Sequence, residues 1–189
     1  MIWAVVPAAG SGRRFGGPIP KQYAQIGSQP LLQWTLQALA GLDQLAGLMV
    51  VIAREDPWWP GWREISGKPV LTTIGGSERC DSVMAGLKAL PDSVGDQDFV
   101  LVHDAARPCV RVSDVQRLIE QAAQTDGGLL AAPVRDTLKR AGVDRAQPRI
   151  AGTQDRVGLW RAFTPQMFRR GPLLAALQAA RARGEQPTD

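Results

Sequence analysis

Apolar and polar residues follow two different spacings along this chain. Short uninterrupted apolar runs are typical of buried strands, whereas apolar residues three and four positions apart are typical of helices. The strand-like runs cover residues 2–6, 48–53, 70–74, 99–103 and 129–132. Because these runs alternate with helical patterns, the chain is predicted to form an α/β fold with a mainly parallel sheet.

Four helices are predicted. The second is expected to begin at an N-cap formed by Ser77, and the third at a capping box of Ser113 and Gln116 that opens a helix over 114–125. A last helix is predicted over 172–183. The residues expected to face the sheet are Leu31, Leu32, Thr35, Leu36 and Leu39 in the first helix and Val83, Leu87 and Leu90 in the second.

Neither spacing continues between residues 133 and 155. This segment is polar and basic, and Gly142 and Pro148 interrupt it. A loop of this length is uncommon inside a compact domain and is usually functional or engaged with a partner. The total length of 189 residues otherwise fits a single domain.

The composition is that of an ordinary globular protein, with 44% hydrophobic and 21% charged residues. A membrane span of ~20 apolar residues and a signal-peptide pattern are both lacking, so a cytoplasmic protein is expected. The net charge of +4 comes from dispersed arginines rather than a basic run, which favours small polyanions over nucleic acid as partners. Two cysteines and a single histidine exclude a metal site built from histidines.

A glycine-rich segment follows the first predicted strand, where open α/β sheets bind ligands. It reads Pro-Ala-Ala-Gly-Ser-Gly-Arg-Arg-Phe over residues 7–15, and Pro-Lys-Gln closes it at 20–22. Small residues let backbone amides approach phosphates, and Arg14 and Lys21 supply cations for a phosphoryl transition state. The segment contains no Walker A pattern, and Gly10, Gly12 and Gly16 are spaced one residue too wide for a dinucleotide-binding fingerprint.

A second candidate element reads Val-His-Asp-Ala-Ala-Arg-Pro over residues 102–108 and ends the fourth predicted strand. A carboxylate at such a strand end can hold Mg²⁺ or a ribose hydroxyl, and one of these roles is predicted for Asp104. His103 is interpreted as a hydrogen-bonded residue at the end of the strand.

Four motifs occur in a fixed order along the chain. They are the glycine-rich segment with Pro-Lys-Gln-Tyr, Gly-Gly-Ser-Glu-Arg-Cys-Asp-Ser-Val over 75–83, the element at 103–108, and Ala-Pro-Val-Arg-Asp-Thr-Leu-Lys over 132–139. Together they resemble the 2-C-methyl-D-erythritol 4-phosphate cytidylyltransferase family over essentially the whole chain. The resemblance implies a Rossmann-like fold of the nucleotide-diphospho-sugar transferase type, with helices on both faces of a mainly parallel sheet. It also implies an enzyme that joins CTP to methylerythritol phosphate.

The resemblance further implies roles for individual residues. The family's first-loop arginine and lysine grip the triphosphate, which makes Arg14 and Lys21 the expected catalytic residues. Nucleotide binding is expected at Ala8, Ala9, Gly10, Gly12, Gly76, Ser82, Asp104 and Ala105, and Mg²⁺ binding at Asp104. The positions that match contacts to the phosphorylated alcohol are Arg107, Thr137, Arg156, Thr164 and Thr188.

Assembly and length are also implied by the resemblance. Family members form homodimers through a projecting arm, which corresponds to about residues 133–155 here. They continue with a further strand and an Asp-Asn-Ile-Lys-like segment, so the C-terminal part of the family domain is expected to be missing from residues 1–189.

Two other functions remain open at this point. A ribitol 5-phosphate cytidylyltransferase shares much of the nucleotide-binding half, and a non-catalytic nucleotide-binding module would need the loop without its cations. The combination of Thr137, Arg156 and Thr164 favours methylerythritol phosphate over ribitol phosphate. The presence of both Arg14 and Lys21 favours an enzyme over a binding module, because binding alone could use backbone amides.

Overall fold

The computed structural model describes residues 1–12, 16–144 and 146–187. These residues form two compact units, one of Met1–Leu130 with the described residues from Thr164 onward, and one of Ala131–Phe163. None of the helices in the described residues is both long enough and apolar enough to cross a membrane.

The helices and strands are numbered in chain order. The helices are α1 (Leu31–Ala40), α2 (Arg79–Lys88), α3 (Val112–Ala122) and α4 (Arg170–Ala182), and a short 3₁₀ turn covers Lys21–Tyr23. The strands are β1 (Ile2–Pro7), β2 (Gln25–Ile26), β3 (Gln29–Pro30), β4 (Leu45–Ile52), β5 (Glu64–Ile65), β6 (Lys68–Ile74), β7 (Phe99–Val102), β8 (Gly127–Pro133), β9 (Leu138–Ala141), β10 (Ile150–Gln154) and β11 (Trp160–Arg169).

The main sheet is mixed but mostly parallel. Among the described residues it contains seven strands in the order β5-β6-β4-β1-β7-β11-β8. β1 is parallel to both of its neighbours, β4 and β7, and β4 is parallel to β6, whereas β11 runs antiparallel to β7. The predicted mainly parallel, Rossmann-like sheet is therefore confirmed, and the antiparallel strand β11 is an element that the sequence did not predict.

The core lies on both faces of this sheet. Along β1, Ala4 and Val6 pack in one cluster with residues of α1 and α3, whereas Trp3 and Val5 pack in a second cluster with residues of α2 and α4. Successive residues of a strand point to opposite faces, so a strand covered on both faces must be apolar throughout. The predicted helices on both faces are confirmed.

Two glycines let other groups approach the sheet closely. A Cβ on Gly86 of α2 would lie 2.5 Å from Cγ1 of Val5, and a Cβ on Gly47 of β4 would lie 2.5 Å from the ring of Trp3. Real Cβ atoms do not make contacts this short. The absence of side chains at these positions therefore sets how near α2 comes to β1 and lets the indole ring of Trp3 cover β4.

The predicted helix caps are wrong at both serines. Helix α2 has Glu78 as its N-cap, and the Ser77 hydroxyl, one residue earlier, instead donates a hydrogen bond of 3.3 Å to the Asp81 carboxylate. Helix α3 has Arg111 as its N-cap and begins at Val112, so Ser113 lies inside the first turn. Val112 packs against the core, and burying it as the first helical residue moves the helix start ahead of the serine.

The second unit contains regular structure that the sequence did not predict. Strands β9 and β10 pair antiparallel, with Thr153 opposite Lys139, and the Lys139 ammonium donates a hydrogen bond of 2.8 Å to the Thr153 hydroxyl. The prediction of an irregular segment over 133–155 is wrong for these nine residues. Most side chains of both strands are exposed, so no buried face imposes an apolar alternation on the sequence.

Candidate active site

A cavity of about 370 Å³ lies at the carboxyl ends of β1, β6 and β7. Its walls come from the loop after β1, the 3₁₀ turn, the start of α2 and the segment after β7. Among its described lining residues, three side chains are basic (Lys21, Arg79 and Arg107) and two are acidic (Glu78 and Asp104). The excess of basic groups and the exposed backbone of a glycine-rich loop favour a polyanionic ligand.

The loop after β1 is held by backbone and side-chain hydrogen bonds. The Ala8 amide donates to the Val51 carbonyl over 2.7 Å, which continues the pairing of β1 with β4 past the end of the strand. The buried Gln22 side chain then donates to the carbonyls of Ala8 and Gly10 over 2.6 and 2.8 Å. Gly12 has a φ of +63°, a conformation that glycine adopts without strain.

Two glycines, Gly75 and Gly76, follow β6, and Gly76 lines the cavity. A Cβ on Gly75 would lie 2.6 Å from the Ser82 hydroxyl oxygen and 2.7 Å from Cβ of Ala9, and a Cβ on Gly76 would lie 2.4 Å from Cβ of Asp81. Ser82 is buried and donates its hydroxyl to the Glu78 carbonyl over 3.3 Å. Any side chain at either glycine would displace a neighbour, so the chain carries only backbone at these two positions.

Asp104 lies between two arginines. Its Oδ1 accepts a hydrogen bond from Nε of Arg79 at 3.0 Å and lies 2.9 Å from Nη2 of the same guanidinium in an ion pair. Its Oδ2 accepts from Nε of Arg107 at 2.7 Å. The Asp104 backbone amide donates to the Thr164 hydroxyl over 3.3 Å. The carboxylate is therefore oriented by two charge-assisted contacts, which are stronger than neutral hydrogen bonds.

His103 is fully buried at the end of β7. Its Nε2 lies 2.9 Å from the Arg107 carbonyl, which can only accept, so Nε2 carries the hydrogen. Burial lowers the pKa of His103 below its ordinary value of 6.5, and the hydrogen bond to the Arg107 carbonyl opposes this shift. The residue is a neutral hydrogen-bond donor that fixes the turn from 103 to 107, in agreement with the interpretation drawn from the sequence.

A metal ion at this site would depend on Asp104. No group of three or more His, Cys, Asp or Glu side chains within residues 1–12, 16–144 and 146–187 is arranged to hold a metal ion. Mg²⁺ at a nucleotide site needs only one or two carboxylates beside the phosphate oxygens and water. A carboxylate has about four acceptor positions, and the hydrogen bonds given above from Arg79 and Arg107 occupy two of them, so Asp104 retains capacity for a cation.

Most of the site residues expected from the sequence meet at this cavity. Ala8 is buried behind the loop, Thr164 is buried and bonded to Asp104, and Thr137 and Arg156 belong to the second unit. Arg14 and Thr188 lie outside the described residues. The expected residues that line the cavity are Ala9, Gly10, Gly12, Lys21, Gly76, Ser82, Asp104, Ala105 and Arg107.

Several lining residues were not among those expected from the sequence, and two of them, Arg79 and Gln22, make hydrogen bonds that shape the site. Both lie inside the motifs at 75–83 and 20–22. Membership of these motifs was the available signal, but it does not specify that the side chains reach Asp104 and the carbonyls of the loop.

A cavity at the carboxyl ends of parallel strands, with a glycine-rich loop and three basic side chains in its wall, is typical of a nucleotide-binding α/β protein. The family model described as 2-C-methyl-D-erythritol 4-phosphate cytidylyltransferase (IspD) matches residues 2–189, and this chain belongs to that family.

Proteins with similar sequences and structures carry the names of this family. The chain is 57% identical over 189 residues to the 2-C-methyl-D-erythritol 4-phosphate cytidylyltransferase of Xanthomonas axonopodis pv. citri (strain 306), covering all of this chain and 70% of that protein. It is 58% identical over 190 residues to the protein of the same name from Stenotrophomonas maltophilia (strain K279a), covering 80% of it. A crystal structure of a 4-diphosphocytidyl-2C-methyl-D-erythritol synthase superposes with a TM-score of 0.79 at 35% identity, covering 98% of this chain and 86% of that one.

The buried histidine predicts how stability changes with pH. Above pH 6.5 His103 is neutral in both the folded and the unfolded chain. Below pH 6.5 the His103 side chain takes up a proton in the unfolded chain, whereas burial opposes protonation in the folded protein. The free energy of unfolding therefore falls by up to about 1.4 kcal/mol per pH unit until the pH reaches the pKa of His103 in the folded protein. Urea unfolding at pH 8, 7, 6 and 5.5 measures this loss.

The control is His103→Gln, which removes the chain's single histidine. The variant is expected to lose less stability than the wild type over the same pH interval. Equal losses in both proteins would show that folded His103 binds its proton as readily as the unfolded chain does.

Proposed function

We propose that this chain is a cytidylyltransferase that joins CTP and 2-C-methyl-D-erythritol 4-phosphate in non-mevalonate isoprenoid biosynthesis. The products are 4-diphosphocytidyl-2-C-methyl-D-erythritol and pyrophosphate. The observation that carries this proposal is the cavity in which the glycine-rich loop, Lys21 and the arginine-bound Asp104 meet, in a chain whose family carries this name.

The reaction is a direct displacement at phosphorus. A phosphate oxygen of methylerythritol phosphate forms a bond to the α-phosphorus of CTP, and the bond from that phosphorus to the α–β bridging oxygen breaks. Pyrophosphate leaves with the electron pair of the broken bond. Such a transfer needs positioning and charge neutralisation rather than a covalent intermediate.

Lys21 and Arg14 are proposed to neutralise the triphosphate. Lys21 lines the cavity beside the glycine-rich loop, where its ammonium can reach a bound phosphate chain. Cations at this position matter most when charge moves onto the departing pyrophosphate. For Arg14 the proposal depends on the family motif alone.

The cytosine base is proposed to lie against the glycine wall formed by Gly75 and Gly76, near Ser82. Peptide N–H and C=O groups there can match one pyrimidine edge, and a base with a different edge would leave buried polar groups unpaired. Ala8, Ala9, Gly10 and Gly12 would border the nucleotide from the loop, and Asp104 and Ala105 would contact its ribose.

Arg107 and Thr164 are proposed to hold the phosphate of methylerythritol phosphate. Arg107 lines the cavity with its side chain about half exposed, so it can bind a second anion while it remains bonded to Asp104. Thr137 and Arg156 would contribute from the second unit of a neighbouring subunit. Thr188 is a further proposed contact from the family motif.

Mg²⁺ is the proposed cofactor, and Asp104 is the residue proposed to hold it together with phosphate oxygens. The ion would supply further neutralisation of the triphosphate charge. The predicted cytoplasmic location stays a prediction.

A homodimer is proposed, with the second unit as its contact surface. Four large apolar side chains there are strongly exposed: Val143 (103%), Ile150 (69%), Val157 (85%) and Trp160 (63%). These side chains are concentrated in one short part of the chain, and apolar side chains that form an exposed patch are typical of protein contact surfaces. Multi-angle light scattering at micromolar concentration is expected to give twice the mass of 20.4 kDa, and a monomer would contradict the proposal.

Pyrophosphate release tests the proposed reaction. With CTP, Mg²⁺ and methylerythritol 4-phosphate, release is expected to depend on all three. Ribitol 5-phosphate in place of methylerythritol 4-phosphate is expected to give none. Release with ribitol 5-phosphate alone would move the activity to that substrate, and binding of CTP without release from either would contradict a catalytic role for this chain.

Lys21→Ala is expected to lower kcat roughly 100-fold while it raises the KM for CTP by less than about threefold, because the lysine acts mainly on the transition state. Lys68→Ala is the matched control. The Lys68 ammonium lies 3.4 Å from the Asp43 carbonyl, away from the cavity, and its loss should change neither constant. Equal effects of Lys21→Ala on kcat and on the KM for CTP would contradict the role proposed for this lysine.

A further inference from the structure

The side chain of Gln22 connects two parts of the cavity wall. Gln22 is only 6% exposed and lies in the 3₁₀ turn directly after Lys21. Its Nε2 donates to the carbonyl of Ala8 at 2.6 Å and to that of Gly10 at 2.8 Å. A side-chain amide has two N–H donors, and both are used here on one loop.

These two bonds fix the direction of the loop's own amides. A peptide group is planar and trans, so the C=O of one residue and the N–H of the next point in opposite directions. When the Ala8 and Gly10 carbonyls are held toward Gln22, the N–H groups of Ala9 and Ser11 are held away from it. Alternate amides of the loop are thereby aligned on one side, as in a backbone site for an anion.

The turn that carries Gln22 is itself anchored. The hydroxyl of the neighbouring Tyr23 donates to the Asp56 carboxylate at 2.8 Å, and burial with this carboxylate raises the pKa of Tyr23 far above its ordinary value of 10.0. On the other side of Gln22, a Cβ on Gly12 would lie 2.8 Å from the backbone nitrogen of Lys21. The loop therefore packs directly against the backbone of Lys21.

We infer that Gln22 is a positioning residue that holds the glycine-rich loop and Lys21 in one fixed arrangement around the triphosphate. The inference deepens the proposed function and rests on it for the identity of the ligand. Gln22 acts through the backbone of the loop and is not itself required to touch the nucleotide.

Two variants separate this role from packing alone. Gln22→Met keeps approximately the length of the side chain but removes both donors. Gln22→Glu keeps its shape but directs carboxylate oxygens toward two carbonyl oxygens, which repels them. Loop displacement is therefore expected to increase from wild type to Met to Glu.

The measurement is the KM for each substrate in steady-state pyrophosphate release. Gln22→Met is expected to raise the KM for CTP roughly tenfold, equivalent to about 1.4 kcal/mol, and Gln22→Glu is expected to raise it further. The KM for methylerythritol 4-phosphate should stay within about twofold of wild type. A role in folding alone would lower the active fraction, and hence the apparent kcat, with both KM values unchanged, and that result would overturn the inference.

Gln29→Met is the matched control. The Gln29 amide donates to the Gln37 side chain at 2.8 Å, a bond of similar length outside the cavity, so its loss should leave the KM for CTP unchanged. An equal rise in that KM would overturn the inference.

Hydrogen exchange tests the loop without any turnover. The amides of residues 9–12 are expected to exchange faster in Gln22→Met than in wild type and in Gln29→Met. Unchanged exchange in Gln22→Met would overturn the inference whatever the activity. Faster exchange in a chain whose wild type releases no pyrophosphate would support the positioning of the loop and contradict only the proposed reaction.

Discussion

The position of every group in the cavity depends on the burial of β1 between β4 and β7. This strand is hydrogen-bonded on both edges and covered on both faces, so a shift of one residue would move Trp3 and Val5 into the packing space of the opposite face. Because its neighbours are parallel to it, the loops that follow β1 and β7, together with the one that follows β6 beyond β4, must emerge at one edge. Motifs far apart in sequence become the walls of one cavity for this reason alone.

The same constraint explains which elements the sequence predicts. A strand that is buried on both faces consists of an unbroken run of apolar residues, and such runs predicted β1, β4 and β7. Strand β11 contains Pro165, and the polar residues Thr164 and Gln166 interrupt its apolar residues without a regular period. No apolar run therefore marks it, although Met167 is fully buried. The pair β9 and β10 has mostly exposed side chains and lacks any period that burial would impose.

The residues of the site also divide into those that the sequence predicts and those that it does not. Those on loops that directly follow a strand, such as Gly10, Gly76 and Asp104, could be predicted to meet, because strand order and direction bring them together. The hydrogen-bond partners of long side chains could not be predicted, because the position of the end of such a side chain depends on the packing of the folded chain. Arg79 and Gln22 belong to this second kind, with one bonded to Asp104 and the other to carbonyls of the glycine-rich loop.

The bare backbone at Gly75 and Gly76 has a consequence for the evolution and redesign of this protein. Neither position has a side chain to exchange, and even a methyl group there would collide with Ser82, Ala9 or Asp81. In the proposed arrangement, with the cytosine base against these glycines, a change of nucleotide preference is not reached through single substitutions at Gly75 or Gly76, as it is where a base is read by an asparagine or a glutamine. Such a change of preference requires the main chain to follow a different path. A series of single substitutions, each tolerated by the fold, seldom produces that.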